Sequence, residues 1–311
     1  MKIVLCLIAP LFAAVCVTGC ASTPVADRSN ALEARPRERV ALFDGRTGAK
    51  AAWADLVSAA SRADAVFIGE THSHPLGLAA IAALWDDLLA VTDAPALCLE
   101  FFERDQQAAI DDYLADVVDE DAFRSLARRT DGNYPPGHRA MIESAKALGR
   151  PVFAANAPRR YLRVGRDGYD GYDSFTDEQH RLFVIPDQMP GGEYRDDFFD
   201  VMIEGREAHG WPDDLTDEEL NDRVEQSFRS QAIWDATMSG TVARVLARGF
   251  SPVVLVIGRF HVDKDGGTVQ LFRRADADAS FIVVSVVDKA GETLEDDDLD
   301  RADFVLYVGE K

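Results

Sequence analysis

The sequence predicts an α/β fold: a mostly parallel central sheet flanked by helices, with an irregular helical insertion. Three observations carry that reading. Four short apolar runs, at 66–68, 96–101, 151–155 and 253–257, are rich in β-branched and aromatic residues, as buried strands are. Segments with helical spacing separate them, the βα alternation that builds parallel sheets. Each run stops at polar residues, and open α/β sheets keep their sites at the carboxyl ends of strands.

The first twenty residues stand apart. Met1 and Lys2 make a short basic start, residues 3–17 are apolar apart from Cys6 and Cys16, and Val17-Thr18-Gly19-Cys20 closes the run. Residues 1–19 read as a secretory signal peptide. The ending resembles a bacterial lipobox, which makes Cys20 the acylated first residue of the mature chain. Several acyl chains, palmitate among them, anchor stably where one would not. Ala21 carries no Asp-type retention signal. By resemblance to the bacterial sorting pattern, this places the chain on the periplasmic face of the outer membrane. Residues 20–40, polar with Pro24 and Pro36, read as a lipidated tether, and 41–311 as one domain. With Cys6 and Cys16 removed and Cys20 acylated, Cys98 is the remaining thiol, so no intrachain disulfide or thiolate zinc site can form. It sits in an apolar run and reads as a small buried hydrophobe.

Lys and Arg number 33 against 54 Asp and Glu, for a formal net charge of −21. So acidic a surface repels phosphate backbones, which argues against nucleic acid as a partner.

Taken in order, residues 41–62 read as a β-turn and then a helix around Trp53, Leu56 and Val57. The first strand ends at Gly69, which lets the backbone turn tightly. Glu70, His72 and His74 follow, and Pro75 opens a helix over about 76–91. His74 alone reads as a capping residue. The second strand ends in Glu100, Glu103 and Arg104, and a helix with Gln107, Ile110 and Tyr113 follows. Helices are expected over 119–129 and 137–149, with Gly149 as C-cap. The third strand leads to Asn156 and Arg159. Residues 163–222 are interrupted by Gly165, Gly168, Gly171, Gly191 and Gly192. They read as an insertion, either a lid or partner-binding surface or a solvated acidic excursion, with short helices near 176–184 and 195–208. Residues 217–248 read as one long helix or two, containing Gln231 and Asp235. The fourth strand runs directly into Gly258-Arg259-Phe260-His261. Residues 268–272, 280–287 and 303–308 look strand-like.

In a parallel sheet these strand ends share one edge. Gly69-Glu70-Thr71-His72 and Gly258-Arg259-Phe260-His261 have the same form, a glycine at a strand end and a histidine three positions later. Two imidazoles with Glu70 or Glu100 have the donors for a divalent metal, with His72, Glu70 and His261 as ligands, or for acid–base chemistry. Three carboxylates in one cleft raise one another's pKa. A guanidinium from Arg104 or Arg159 is the expected countercharge for Glu70, Glu100 or Glu103, a metal the alternative.

These motifs, with Leu99-Glu100-Phe101-Phe102-Glu103-Arg104-Asp105-Gln106-Gln107 and Gln231-Ala232-Ile233-Trp234-Asp235-Ala236-Thr237-Met238, together resemble the ChaN family, the haem-binding-uptake branch of the Tiki/TraB superfamily. The resemblance covers roughly residues 40–290. It implies an α/β fold and a surface lipoprotein that binds haem for iron uptake. Glu103, Arg104, Gln107, Gln231 and Asp235 in these motifs, with Asn156 and Arg159 at the third strand end, are the candidate cofactor-binding residues. The family's haem iron is associated with a tyrosine, and its place is open among Tyr134, Tyr161, Tyr169, Tyr172 and Tyr194. Phe260 stands where the family has a small residue. Two functions follow. The first is haem binding at a flat apolar surface with an axial ligand, at the interface of a homodimer. The second is a hydrolase of the Tiki or erythromycin-esterase type, in which Glu70, His72, Glu100 and His261 activate water, with or without a divalent metal. No serine or cysteine nucleophile motif supports covalent acyl chemistry.

Overall fold

The computed structural model describes residues 32–311 except 167, 209 and 213. The signal peptide and Cys20 lie outside the described residues. In chain order the elements are α1 (Pro36–Arg39), β1 (Ala41–Asp44), α2 (Trp53–Arg62), β2 (Ala65–Glu70), α3 (Pro75–Val91), β3 (Ala96–Glu103), α4 (Gln107–Leu114), α5 (Glu120–Leu126) and α6 (Pro136–Ala147). Then come β4 (Val152–Asn156), α7 (Arg163–Arg166), α8 (Asp177–His180), α9 (Glu193–Glu204), α10 (Asp217–Leu246), β5 (Val253–Gly258), α11 (Gly267–Ala275), β6 (Phe281–Val287) and β7 (Phe304–Tyr307).

The strands form one sheet in the order β1-β7-β6-β2-β5-β3-β4. Every pairing is parallel except β1 with β7. Alternation along each strand feeds two cores. Val66, Ile68, Leu97, Leu99, Val254 and Val256 face a layer that includes Leu78, Ile81 and Trp85 of α3 and Met141 and Ile142 of α6. Ala65, Phe67, Cys98, Leu255 and Ile257 face Met238, Val242 and Val245 of α10 and Val269 and Phe272 of α11. Each fully buried large side chain contributes about 1.5–3 kcal/mol relative to exposure. Cys98 is one of the buried set, and burial pushes its thiol up to about 12.

Two expectations are corrected. Residues 41–44 pair with β7 as a strand where a turn was expected. Residues 268–272 are helical, within α11, where a strand was expected. Thr268 and Val269 favour a strand, but Thr268, Leu271 and Phe272 fall at helical spacing and are all buried. Tertiary packing overrides local propensity there. Within the segment read as a tether, Arg37 of α1 pairs with Asp87 of α3 at 2.8 and 2.9 Å. The insertion and the turn before it pack against α10. Tyr194 and Phe198 of α9 meet Val224 and Phe228, while Tyr161 and Phe183 meet Ile233. Among the described residues, no helix is long and apolar enough to cross a membrane.

Candidate functional site

The carboxyl ends of β2, β5, β3 and β4 lie side by side, which brings the polar strand ends together. Glu70 pairs in register with Gly258. The two like motifs are therefore neighbours, and their glycines make the contact possible. A Cβ on Gly69 would stand 2.8 Å from the Arg259 Cα, and one on Gly258 would stand 2.9 Å from the His72 ring.

Glu70 is 2% exposed. Its Oε1 accepts from His72 Nδ1 at 3.0 Å and its Oε2 from His138 Nε2 at 2.8 Å. Asp235, wholly buried on α10, forms a second centre. Its Oδ1 accepts from His261 Nδ1 at 2.6 Å and from the Thr268 hydroxyl at 2.7 Å, and its Oδ2 from the Tyr194 hydroxyl at 2.6 Å. The Gln231 amide reaches Tyr194 at 3.2 Å and His261 at 3.3 Å. Glu100 stands between the centres. It accepts the Gly258 backbone N–H at 2.5 Å, and its other oxygen lies 3.7 Å from His261 Nε2. A cavity of about 410 Å³ opens beside this array, lined among others by Glu70, His72, Glu100, Phe101, His138 and Trp234.

Burial pushes the Glu70 carboxyl up, but the hydrogen bonds from His138 and His72 outweigh it and hold the group below the usual carboxylate range. The bond to Glu70 raises His72. Burial lowers His261, and the Asp235 carboxylate beside it more than compensates, so the imidazole is raised overall. Burial, with Asp235 adjacent, drives Tyr194 well above the ordinary phenol value. Both raised imidazoles, His72 and His261, thus owe their shift to a neighbouring carboxylate.

The structure unites Glu70, His72, Glu100, Gln231, Asp235 and His261. Glu103, Asn156 and Arg159 line the same cavity. Arg104 and Gln107 do not join them. A short 3-10 turn after β3 swings Arg104 onto α10, where it donates to Thr241 Oγ1 and the Thr237 carbonyl. Gln107 bonds to the edge of β4. The expected guanidinium countercharge is corrected as well. Arg128 pairs with Glu103 at 2.9 Å, while the Arg159 guanidinium lies 5.9 Å over Trp234. Among the described residues no arginine pairs with Glu70 or Glu100; imidazoles take that role for Glu70.

The donors His72, Glu70 and His261 do not converge as a metal site. Glu70 is taken up by His72 Nδ1 and His138, and His261 Nδ1 by Asp235, and among the described residues no group of three or more His, Cys, Asp or Glu is arranged to hold a metal ion. Of the five tyrosines, Tyr194 reaches the array, with its hydroxyl already given to Asp235. Tyr134 and Tyr161 are packed in apolar clusters, Tyr169 donates to a backbone carbonyl, and Tyr172 stacks on His180. His74 caps α3, accepting from the Gly77 N–H at 3.1 Å.

Sequence reasoning missed His138 and Thr268. A signal for His138 exists: it lies at helical spacing with the buried Met141, Ile142 and Ala145, and is itself 1% exposed. An ionisable residue on an apolar stripe requires a buried partner. Phe260, large where a small residue was expected, packs against Tyr194 and Phe198, and so ties the insertion to the strand-end turn.

Solved structures resemble the chain to different degrees. The ChaN protein of Campylobacter jejuni, described with cofacial heme binding, is 16% identical with a TM-score of 0.62, over 86% of this chain and 96% of that one. The type III effector HopBA1 is 15% identical with a TM-score of 0.44, over 92% and 99%. Erythromycin esterase EreC in its open conformation is 14% identical with a TM-score of 0.45, over 79% and 76%. No curated protein matches the chain in sequence. The family model for haem-binding uptake, Tiki superfamily, ChaN, matches residues 56–271, well over half of the chain. On that match, the chain belongs to the ChaN family of haem-binding uptake proteins in the Tiki superfamily.

Proposed function

We propose that this chain is a haem-binding lipoprotein that serves iron uptake, anchored through Cys20 on the periplasmic face of the outer membrane. Family membership is the observation that carries the haem part. The strand-end cavity has residues that fit the group. The His72 side chain is 61% exposed while its Nδ1 bonds to Glu70. A carboxylate behind a ligating imidazole fixes its tautomer and raises its basicity, which suits His72 Nε2 to an iron. Phe101 and Trp234 add aromatic surface to the cavity lining, and the exposed Arg159 guanidinium suits a propionate. Bound haem supplies the iron. The chain supplies the ligand, the countercharge and a second copy that completes the enclosure. The test is haem titration of the mature chain, followed through the Soret band and by mass in solution. Saturable spectral change at micromolar haem, weakened at least tenfold in His72→Ala, is expected; no change in the wild type refutes the reading. Unchanged membrane fractionation of Cys20→Ala would refute the anchor.

A second reading, hydrolysis, rests on the His261 geometry. One ring nitrogen is held by a buried carboxylate and the other faces Glu100 across 3.7 Å. Such a pair can take a proton from water and return it to a leaving group. Hydrolysis of a model ester by the haem-free chain, abolished in His261→Ala, would move the assignment to this reading.

A further inference from the structure

A second, larger groove lies along the free edge of β4, bounded by α4, the end of α10 and the segment at 181–182. Its volume is about 810 Å³. It shares no lining residue with the strand-end cavity. The floor is apolar, made by Leu114, Val152, Phe153, Ala154, Leu182 and Phe250. The walls are basic: Arg104, Arg150, Arg181, Arg244 and Arg248, with Lys146 at one end. This concentration of cations stands out in a chain with net charge −21.

Lys146 is paired with Asp116 at 2.7 Å. Among the described residues, none of the five arginines has a carboxylate within ion-pairing distance. Asp111, the acidic residue on the lining, accepts from Gln107 at 2.9 Å. Arg104 is 8% exposed and bonds only to neutral acceptors, the Thr241 hydroxyl and the carbonyls of Thr237 and Arg181. Burial, with Arg244 adjacent, lowers it to about 9. The Arg150 Nε is buried with no hydrogen-bond partner. Arg248 lies over Phe153 at 5.0 Å and Phe250 at 5.7 Å, so charge and apolar surface meet at the floor. Arg181, Arg244 and Arg248 are exposed along the groove, but a buried guanidinium such as Arg104 is ordinarily paired, and a buried donor without an acceptor, such as Arg150 Nε, is costly. A bare inorganic anion would answer the charge and leave the apolar floor uncovered. A carboxylate on an aliphatic body answers both, since guanidinium forks match carboxylates and the volume falls within the range of roughly 300–1,000 Å³ typical of small-molecule sites.

We propose that this groove binds a long-chain fatty acid, with its carboxylate on Arg150 and Arg244 and its chain along the β4 edge. The test uses the mature full-length chain and the fluorescent fatty acid cis-parinaric acid. Saturable micromolar binding is expected, displaced by palmitate and unaffected by equal concentrations of hexadecanol or inorganic phosphate. Arg150→Glu with Arg244→Glu should weaken binding at least tenfold with an unchanged melting profile, and the milder Arg244→Met should weaken it severalfold. His72→Ala should bind the probe like the wild type while losing its haem response, which separates this groove from the haem reading. Equal displacement by phosphate or hexadecanol, or full binding by the folded Arg150→Glu/Arg244→Glu variant, would overturn the proposal.

Discussion

In the strand-end array, Glu70 and Asp235 are buried and bonded to histidines, Glu70 to His72 at 3.0 Å and His138 at 2.8 Å, and Asp235, from α10, to His261 at 2.6 Å. Along the β4 edge, Arg104 is also buried and is bonded to hydroxyl and carbonyl groups alone. The first region neutralises its charge internally and holds it in a network. The second leaves its charge uncompensated within the chain. Removing a member should therefore have different consequences. Asp235→Ala strips His261, Tyr194 and Thr268 of their shared acceptor and leaves a buried imidazole without its carboxylate. Loss of one partner of a buried pair costs about 3–5 kcal/mol. Arg104→Met removes hydrogen bonds to neutral groups and relieves an unpaired charge, for a net cost of about 1–2 kcal/mol. Denaturant unfolding of both variants checks the comparison, and equal losses would break it.

That comparison also marks where the sequence was legible. The strand-end residues were readable because each sits at a break between an apolar run and a helix, a position parallel topology brings to one edge. Glu70, Glu100 and His261 meet for that reason. What a strand end does next was not readable. Arg104 and Gln107 follow Glu103 by one and four positions, yet the 3-10 turn between them sends both toward α10 and β4. Partners from helix faces were harder still. His138 reaches Glu70 across 68 positions, and only the tertiary packing of α6 on α3 and the sheet brings it there. The strand β1 was missed because four residues with two buried positions carry too little period to separate a strand from a turn.

The two regions should also differ in their response to pH. His72 and His261 are raised above their ordinary value of 6.5. Their contribution is complete below that value and is lost as pH rises through the raised folded-state values. Glu70 is held below its ordinary 4.5, so its contribution is present above 4.5 and is lost as pH falls through the folded-state value. The network is strongest between about pH 4.5 and 6.5. The stability difference between wild type and Asp235→Asn should be largest in that window and shrink on going to pH 8 and beyond. The difference between wild type and Arg104→Met should stay flat from pH 5 to 8, because a guanidinium keeps its charge throughout that range. A flat profile for Asp235→Asn would mean that its partners are neutral throughout.

The smallest expected effect tests the boundary of the groove. β4 is the last strand of the sheet, and an edge strand presents unpaired backbone groups. Gln107 meets two of them. Its Nε2 donates to the Val152 carbonyl at 2.9 Å, and its Oε1 accepts the Ala154 N–H at 2.8 Å. One side-chain amide thus stands in for a peptide unit of a neighbouring strand. Gln107→Ala frees both groups beside a groove that water can enter, so the cost should be about 1 kcal/mol rather than the penalty of a dry, unsatisfied pair. Exchange of the Ala154 amide should accelerate at least tenfold. Gln107→Glu can still accept from Ala154 but cannot donate to Val152, and should fall between the two. The haem response of Gln107→Ala should equal that of the wild type, since this side chain bonds to the sheet edge and lies outside the strand-end cavity. A lost Soret response with unchanged Ala154 exchange would place Gln107 in the haem site and dissolve the distinction between the two regions.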